Sequence, residues 1–384
     1  MYRIIEAIQE NNYHLVDYYI KERDTLNCID SIGRTPLMYA VLNENMLIID
    51  LLLRNKVDIN IKDKDNYKIA LHYAVEKGNF EICKKLIEKG SHISEHDAMK
   101  FTPLHYSIMN GKSEIASLLI KSGADISNRG QSSITPLHMA AKVGIDSIIS
   151  ELLRYGAHID PVDFHYRTPL HIAAINGNII SVYLLLKYGA NILKTDLDDY
   201  DVLQLACISD RDAVVTSLID TWEASPFNIG SNNNSTLHCA VKSGNIQIVK
   251  KVVDAILQKK GHIVDLNYCS NYGTPLHECI DKKEIGKYLL DIGARPNIQG
   301  REGFIPLHLA CKWIKDKDID FIDTLMYYGS ELNAQCNRGN TPLHCAVYAR
   351  KYNVVKKLLS YKPDLSICNF QGEKLGNIID SLEI

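Results

Sequence analysis

Short stripes of apolar residues, separated by polar turns, recur along the whole chain at the spacing of amphipathic helices. One stretch, Thr168 to Gly177, reads TPLHIAAING, and near copies of it return at intervals of 31 to 39 residues, most often 33. The central apolar residue of each copy is Leu37, Leu71, Leu104, Leu137, Leu170, Leu203, Leu237, Leu276, Leu307 or Leu343, and Ile4 and Leu375 extend the series. A period of this length indicates a repeat protein, in which each unit buries its apolar face against its neighbours.

Each repeat is predicted to contain two short helices, joined by a turn and followed by a hairpin loop. In the fourth repeat, Thr102-Pro103 opens the first helix, where the fixed φ and missing N–H of proline cost nothing. Gly111 ends that helix, Ala116 to Ile120 supply the apolar stripe of the second helix, and Gly123 stops it. This order predicts an all-α solenoid of about eleven helix-turn-helix repeats with hairpin loops.

The repeats differ in regularity, and the differences predict four segments: an N-terminal capping repeat at 1–30, regular repeats ending in a degenerate one at 31–225, repeats with insertions at 226–370, and a C-terminal capping helix at 371–384. In the degenerate repeat, Asp201 to Gln204 replace the TPLH motif, and an irregular connection follows. Extra residues around 255–261 predict a longer second helix or a longer loop after it. A further insertion falls around 313–318.

The composition is typical of a folded chain without a targeting or membrane segment. Of the 384 residues, 46% are hydrophobic and 23% are charged, and the formal net charge is -3. This near balance gives no electrostatic footprint for nucleic acid or an anionic membrane. No apolar run is long enough to span a bilayer, and Met1 to Glu6 carry charges where a secretory signal needs an apolar region. We therefore expect an intracellular, cytoplasmic monomer that does not bind nucleic acid and does not insert into a membrane, with a local basic patch left open.

Sequence patterns that could carry chemistry have simpler interpretations in the repeat register. His92 to His96 match H-x-x-E-H, a zinc-peptidase pattern that requires a single helix face, but the register places them in a hairpin. Asp196 to Asp201 lack the glycine and glutamate of a calcium loop and predict a solvated acidic loop, with weak cation binding as the alternative. The ten cysteines form no C-x-x-C pair and are predicted to be reduced core thiols. No metal, cofactor or catalytic set is predicted.

The TPLH motif and its period resemble those of ankyrin repeats over nearly the full chain. The abundance of isoleucine, lysine, asparagine and tyrosine is similar to that of ankyrin proteins from poxviruses and intracellular bacteria. The resemblance implies that the motif histidines, such as His171, hydrogen-bond within and between repeats. It also implies that protein partners contact the hairpin tips and exposed first-helix positions, here Ile32, Arg34, Met99, Phe101, Ile134, Phe164, His165, Arg167, Arg301, Phe304, Trp313 and Arg338, with Met109, Val143, Ile175 and Tyr348.

Aromatic residues and arginines often anchor protein interfaces, which favours these positions. Phe101, Ile134 and Phe164 are expected to line up in consecutive repeats. The alternative is that the apolar tips pack against the neighbouring hairpin, since exposed apolar side chains are common on any protein.

The expected function is that of a non-enzymatic protein-binding scaffold or adaptor, acting on host proteins in a viral or intracellular-parasite context. One alternative is a substrate adaptor for a host ubiquitin ligase. Poxvirus proteins of that kind carry several helices after the last repeat, whereas about one is predicted here. A second alternative is an effector enzyme with its active site in 221–271, a span too short for a separate catalytic domain.

Overall fold

Pairs of short α-helices repeat along the described residues, which are 3–22, 26–260 and 266–375 of a computed structural model. The chain divides into two units, Met1–Asp196 and Leu197–Ile384. The first unit contains six helix pairs: α1 Arg3–Gln9, α2 Tyr13–Lys21, α3 Pro36–Leu42, α4 Met46–Arg54, α5 Ala70–Lys77, α6 Phe80–Glu88, α7 Pro103–Met109, α8 Ser113–Lys121, α9 Pro136–Val143, α10 Asp146–Arg154, α11 Pro169–Asn176 and α12 Ile179–Lys187.

The second unit continues the same order of elements with α13 Val202–Ile208, α14 Asp212–Asp220, α15 Thr236–Ser243, α16 Ile246–Lys260, α17 Lys283–Asp291, α18 Pro306–Trp313, α19 Asp320–Tyr327, α20 Pro342–Tyr348 and α21 Tyr352–Leu359. A 3-10 helix, Pro275–Cys279, takes the place of the first helix before α17. Two short strands, β1 Ile229–Gly230 and β2 Asn234–Ser235, pair antiparallel within one hairpin. The predicted solenoid of about eleven helix-turn-helix repeats is confirmed.

The TPLH motif forms the start of each first helix in the way its residues dictate. In α11 the side chain of Thr168 accepts a hydrogen bond from the backbone of His171, and proline occupies the first turn. Gly177 ends the helix at a φ of 78°, in the left-handed region that glycine enters without strain. The following helix, α12, buries Val182, Leu185 and Leu186.

Within each unit, first helices stack on first helices and second helices on second helices. In the first unit α7 packs on α9 and α9 on α11, while α8 packs on α10 and α10 on α12. In the second unit α13 packs on α15 and α18 on α20. The core is therefore a continuous layer of small and branched apolar side chains inside each unit, including Ala140, Ala173 and Leu185.

Side chains of one repeat also hold the backbone of the next. Asn60 accepts a hydrogen bond from the N–H of His92 at 2.8 Å, and Asn297 accepts one from Glu331 at 2.9 Å. The same bond recurs from Asp58 to Asn27, from Arg295 to Asn267 and from Asp364 to Asn333. In every case the acceptor lies in the earlier repeat and the donor in the later one.

The departures from regularity take defined forms. Helix α16 has 15 residues whereas most second helices have nine, so residues 255–260 lengthen the helix, which is the first of the two predicted alternatives. The insertion near 313–318 forms the 3-10 helix Asp316–Asp318. In the predicted C-terminal capping helix, residues 376–384 lie outside the described part of the chain.

Candidate protein-interaction surface

The motif histidines bond within their own repeat through Nδ1 and join it to the next repeat through Nε2. In His171, Nδ1 accepts hydrogen bonds from the N–H and hydroxyl of Thr168 at 3.1 and 2.9 Å, and Nε2 donates to the carbonyl of Lys194 at 3.0 Å. Because an N–H can only donate and a carbonyl can only accept, these bonds fix the neutral tautomer. The carbonyl acceptor in the following repeat recurs for His72, His105, His138, His238, His277, His308 and His344. The structural role implied by the resemblance is confirmed.

Burial keeps these imidazoles uncharged. Loss of solvation lowers the pKa to about 4 for His72, His105, His171, His238 and His308. The same cause lowers the pKa of His138, His277 and His344. Their hydrogen bonds hold the repeats together and leave no ring nitrogen for proton transfer or metal binding.

Gln204 performs the same task in the degenerate repeat. Its side-chain oxygen accepts from the N–H of Asp201 at 3.1 Å, and its Nε2 donates to the carbonyls of Asn228 at 3.0 Å and Asn234 at 3.3 Å. An amide carries one acceptor and one donor group at nearly the positions of a neutral imidazole, so the repeat keeps its bonds without the histidine.

Aspartates at the base of the hairpins turn their charges inward. In Asp97, Oδ1 accepts from the N–H groups of Met99 and Phe101, and Oδ2 accepts from the hydroxyl of Tyr106 at 2.6 Å. Asp63 is likewise buried and accepts from the hydroxyl of Tyr73. These carboxylates shape the turns and contribute little negative charge to the outer surface of the hairpins.

Cations and tyrosines alternate across three repeats of the first unit. The Arg34 guanidinium lies 6.0 Å from the ring centre of Tyr39 and 5.5 Å from that of Tyr73, and the Lys68 ammonium lies 4.4 Å from that of Tyr106. Burial, with the hydrogen bond to Asp63, raises the pKa of Tyr73 to about 12. Arg34 was among the predicted contact residues and the tyrosines were not, although the residue after the motif histidine is Tyr73 in one repeat and Tyr106 in the next.

The predicted contact residues divide into exposed and half-buried groups. Phe164 is 68% exposed, Trp313 64% and Met99 48%, and His165, Arg301 and Arg338 are also exposed. The half-buried group consists of Ile32, Arg34, Phe101, Ile134, Arg167 and Phe304. A role of either group in partner binding stays a prediction. The exposed residues are the better candidates, because a partner could reach their side chains.

Phe101 packs against the next hairpin. Its ring lies over Gly130, where an added Cβ would come within 2.3 Å of it, and its centre is 5.4 Å from that of His105. The predicted alignment with Phe164 is wrong. The hairpins close through Asp97 N–H to the Phe101 carbonyl and Asp163 N–H to the Arg167 carbonyl, so Arg167 shares the register of Phe101, while Phe164 lies at the tip.

One hairpin position varies from repeat to repeat. The residue just before the closing carbonyl has a positive φ, and in four successive hairpins of the first unit it is Tyr67, Lys100, Ser133 and Tyr166, at 56° to 62°. The same position is held by Gly33 in the preceding hairpin of the first unit, and by Asp199, Asn233, Gly303, Gly339 and Gly372 in the second unit. Tyr67 and Tyr166 were not predicted from the sequence, although a comparison of the repeats at this column would have found them.

The second unit presents a different mixture of charges and rings. Arg301 lies 5.6 Å from the ring centre of Tyr272, and the Lys312 ammonium lies 4.8 Å from that of Trp313 and 6.0 Å from that of Phe304. Arg338 approaches Glu302 at 3.9 Å. These cations therefore already contact aromatic rings or a carboxylate of the same chain.

The residues of the H-x-x-E-H pattern already bond to one another and to a neighbouring lysine. His92 and Glu95 of the H-x-x-E-H pattern contact each other in a hairpin, and Glu95 pairs with Lys62 at 2.7 Å. Within the described ranges no group of three or more histidine, cysteine or acidic residues is arranged to hold a metal. None of the described helices combines the length and apolar character needed to span a bilayer.

Most thiols lie in the core, as predicted. Cys83, Cys207, Cys239, Cys279, Cys311 and Cys345 are buried, whereas Cys269 is exposed and Cys368 is half-buried. Burial raises the pKa of Cys83, Cys239 and Cys345 to about 12, so these sulfurs stay protonated and pack as apolar groups.

Comparison with known proteins agrees with the repeat architecture. A model of ankyrin repeats in three copies matches residues 4–97, 43–130, 127–196, 203–300 and 276–369. A putative ankyrin repeat protein of fowlpox virus is 34% identical over 152 residues, which cover 38% of this chain and 42% of the viral protein. A second fowlpox virus protein of that description is 33% identical over 120 residues, 28% of this chain and 20% of its own length.

Inversin of Homo sapiens is 39% identical over 75 residues, which cover 20% of this chain and 7% of inversin. The matched segments thus span less than half of each of these relatives. What all of them share with this sequence is the repeat itself, and the chain belongs to the ankyrin repeat family.

Proposed function

We propose that the protein is a non-catalytic adaptor that binds host proteins through its hairpin tips and first-helix ends. Ankyrin repeats serve protein-protein interaction, and the observation that carries the proposal is the exposure of large side chains at these positions. Phe164 and Trp313 are both more than 60% exposed, and Phe370 at the tip of the last described hairpin is 76% exposed. A large aromatic ring exposed to water is unfavourably hydrated, and burying it against a partner lowers the free energy.

The host context rests on the relatives. Two of them are described as putative ankyrin repeat proteins of fowlpox virus, and the tyrosine- and asparagine-rich composition of this chain resembles that of poxvirus ankyrin proteins in general. A viral protein made of interaction repeats meets mainly the proteins of the cell it infects. We therefore expect its partner to come from a vertebrate host.

Affinity capture from vertebrate cell extract, with mass spectrometry of the bound proteins, tests the proposal. The variants Phe164→Ala and Trp313→Ala probe the two units separately, and Tyr155→Ala is the matched control because Tyr155 is 52% exposed at the end of a second helix. We expect at least one tip variant to lose a partner that the control retains. Retention of every partner by both tip variants would contradict the proposal.

The captured proteins also separate this function from its alternatives. Cullin or Skp1-type subunits among them would support a ubiquitin-ligase adaptor. Turnover of a captured protein by the purified chain would support an effector enzyme. Binding without either result is the outcome expected for a simple adaptor.

A further inference from the structure

Two tyrosines in the first unit occupy a backbone conformation that normally belongs to glycine. Tyr67 and Tyr166 have φ values of 56° and 58° and are 56% and 57% exposed. Bulky L-residues rarely adopt this region, because the Cβ crowds the backbone. Among the described residues neither ring stacks on another, lies under a cation or donates a hydrogen bond from its hydroxyl.

The fold itself has no use for these side chains. Gly33, Gly303, Gly339 and Gly372 make the same turn in other hairpins with no Cβ at all. Backbone strain held at exposed positions is a mark of binding sites, where the gain comes from the ligand. Tyrosine suits such a site, since it offers a large rigid surface and a polar hydroxyl.

Three exposed cations lie on the hairpin of Tyr67 and on the next two hairpins, before the hairpin of Tyr166. Lys64, Lys100 and Arg129 belong to three successive hairpins, and within the described residues none of them forms an ion pair. The Arg129 guanidinium does donate to the carbonyl of Val162 at 2.8 Å, which holds it in place. Asp63, Asp97 and Asp163 are buried beneath these hairpin tips, whereas Asp65 is exposed beside Lys64.

We propose that these tips bind an extended, acidic segment of a partner protein. The tip surface consists of Lys64, Tyr67, Lys100, Arg129, Phe164 and Tyr166, with rings on the first and the last of four successive hairpins and one unpaired cation on each of the first three. Aspartates or glutamates of the segment meet the cations, and its apolar side chains pack on the rings. The inference rests on the proposed function and names the chemistry of the partner.

The spacing of charge favours a peptide over a nucleic acid. A single strand of nucleic acid carries a phosphate at every nucleotide, and its binding grooves track the backbone with many basic residues. The tip surface offers one unpaired cation on each of three hairpins and none on the fourth. An acidic peptide with apolar residues between its carboxylates matches that sparse pattern.

Fluorescence anisotropy on the full chain tests the proposal with three labelled probes of equal length. The first peptide alternates glutamate and aspartate with leucine and phenylalanine, the second replaces every acidic residue with lysine, and the third probe is oligo-dT. We expect the acidic peptide to bind most tightly and to weaken about tenfold or more as salt rises from about 50 to about 200 mM. Tighter binding of the lysine peptide or of oligo-dT, or no binding of the acidic peptide, would overturn the proposal.

Variants assign the binding to the tip surface. The double variant Tyr67→Gly and Tyr166→Gly should weaken the acidic peptide about tenfold while the unfolding midpoint stays the same or rises. Lys64→Gln with Lys100→Gln should weaken it by about the same factor and reduce its salt dependence. Lys84→Gln is the matched control, since Lys84 is exposed on α6. Unchanged affinity in both double variants would overturn the assignment.

Failure here is distinguishable from failure of the proposed function. If a captured host protein binds the Tyr67→Gly and Tyr166→Gly variant as tightly as the native chain, the adaptor function stands and the tip surface is not its site. If no host protein is captured through either unit, the adaptor function itself fails.

Discussion

The hairpins of the two units make the same turn with a different balance of residues at its tightest point. After Gly33, four successive hairpins of the first unit place Tyr67, Lys100, Ser133 and Tyr166 at a positive φ, whereas the second unit begins with Asp199 and Asn233 and ends with Gly303, Gly339 and Gly372. At Gly303 an added Cβ would lie 2.9 Å from the backbone nitrogen of Asn337, and at Gly339 it would lie 2.8 Å from that of Phe370. Close approach of the next hairpin therefore demands glycine there.

The difference shows which side chains are free to serve recognition. Most repeats keep a polar N-cap residue, and each of them keeps its motif histidine or a substitute for it. The residue at the left-handed position must be glycine only where the neighbouring hairpin comes too close for a Cβ. Elsewhere this position holds larger or charged side chains, which include Tyr67 and Tyr166 in the first unit and Asp199 in the second. Changes of pH and of single residues separate the bonds that both units share from the features that differ.

Acidification has the largest expected effect. The unfolded histidines have a pKa near 6.5, and burial lowers the pKa to about 4 in His72, His105 and His171 of the first unit and in His238 and His308 of the second. Between these values the unfolded chain binds more protons, so the free energy of unfolding falls as the pH falls from 6.5 towards 4. Each such histidine contributes on the order of 3 kcal/mol. Urea unfolding at pH 7, 6 and 5 measures this, and a constant free energy would contradict it.

Replacement of a motif histidine has the next largest effect. His171→Ala leaves the N–H of Thr168 and the carbonyl of Lys194 without their buried partner, which should cost about 3 kcal/mol of unfolding free energy. His171→Gln copies the arrangement of Gln204 and should cost less than about 1 kcal/mol. Chemical denaturation at pH 7 compares the two variants, and equal losses would show that glutamine serves only in the surroundings of the second unit.

Substitution of the hairpin glycines separates crowding from φ strain. Gly303→Ala should lower the free energy of unfolding by about 2 kcal/mol, because the residue must keep its positive φ and its Cβ meets the next hairpin. Gly372→Ala should cost about 1 kcal/mol, since no atom lies within 4 Å of the added Cβ. Thermal and urea unfolding give both numbers. A larger loss at Gly372 would refute the crowding explanation.

The converse change in the first unit has the smallest effect on stability. Tyr166→Gly removes the strain of the left-handed tyrosine but adds freedom to the unfolded chain, so the free energy of unfolding should change by less than about 0.5 kcal/mol. Differential scanning calorimetry is sensitive enough to check this. A loss of about 2 kcal/mol or more would mean that the ring supports the fold, and would remove it from the tip surface.

The fold could be predicted from the sequence because its determinants are local and repeated. Thr168, Pro169 and Gly177 specify where a helix starts and stops, and ten copies of the motif confirm the register. The insertion near residues 255–260 was located for the same reason, since the interval between motifs measures its length. The sequence left open whether it would lengthen the helix or the following loop, and it lengthens α16.

The contact surface could be predicted only in part, because exposure depends on neighbouring hairpins. Phe101 and Phe164 look alike in the sequence, yet Phe101 packs on Gly130 while Phe164 faces solvent. The left-handed tyrosines were missed because φ is set by the hairpin geometry. Tyr67 and Tyr166 carry no sign of it on their own, and the glycines at the same column provide the signal only once the hairpins are superposed in register.

The bonds between successive repeats give assembly a direction. Asn60 and Asn297 hold the backbone of the repeat that follows them, and each motif histidine donates forward to a later carbonyl. A chain leaving the ribosome completes its earlier repeats first, so every new repeat meets a template that already presents its acceptors and donors. Within each unit, growth is therefore vectorial. When repeats are removed from the C-terminal side, every remaining backbone amide that donates to an asparagine keeps its acceptor. When repeats are removed from the N-terminal side, the first remaining amide of this kind loses its asparagine and faces water.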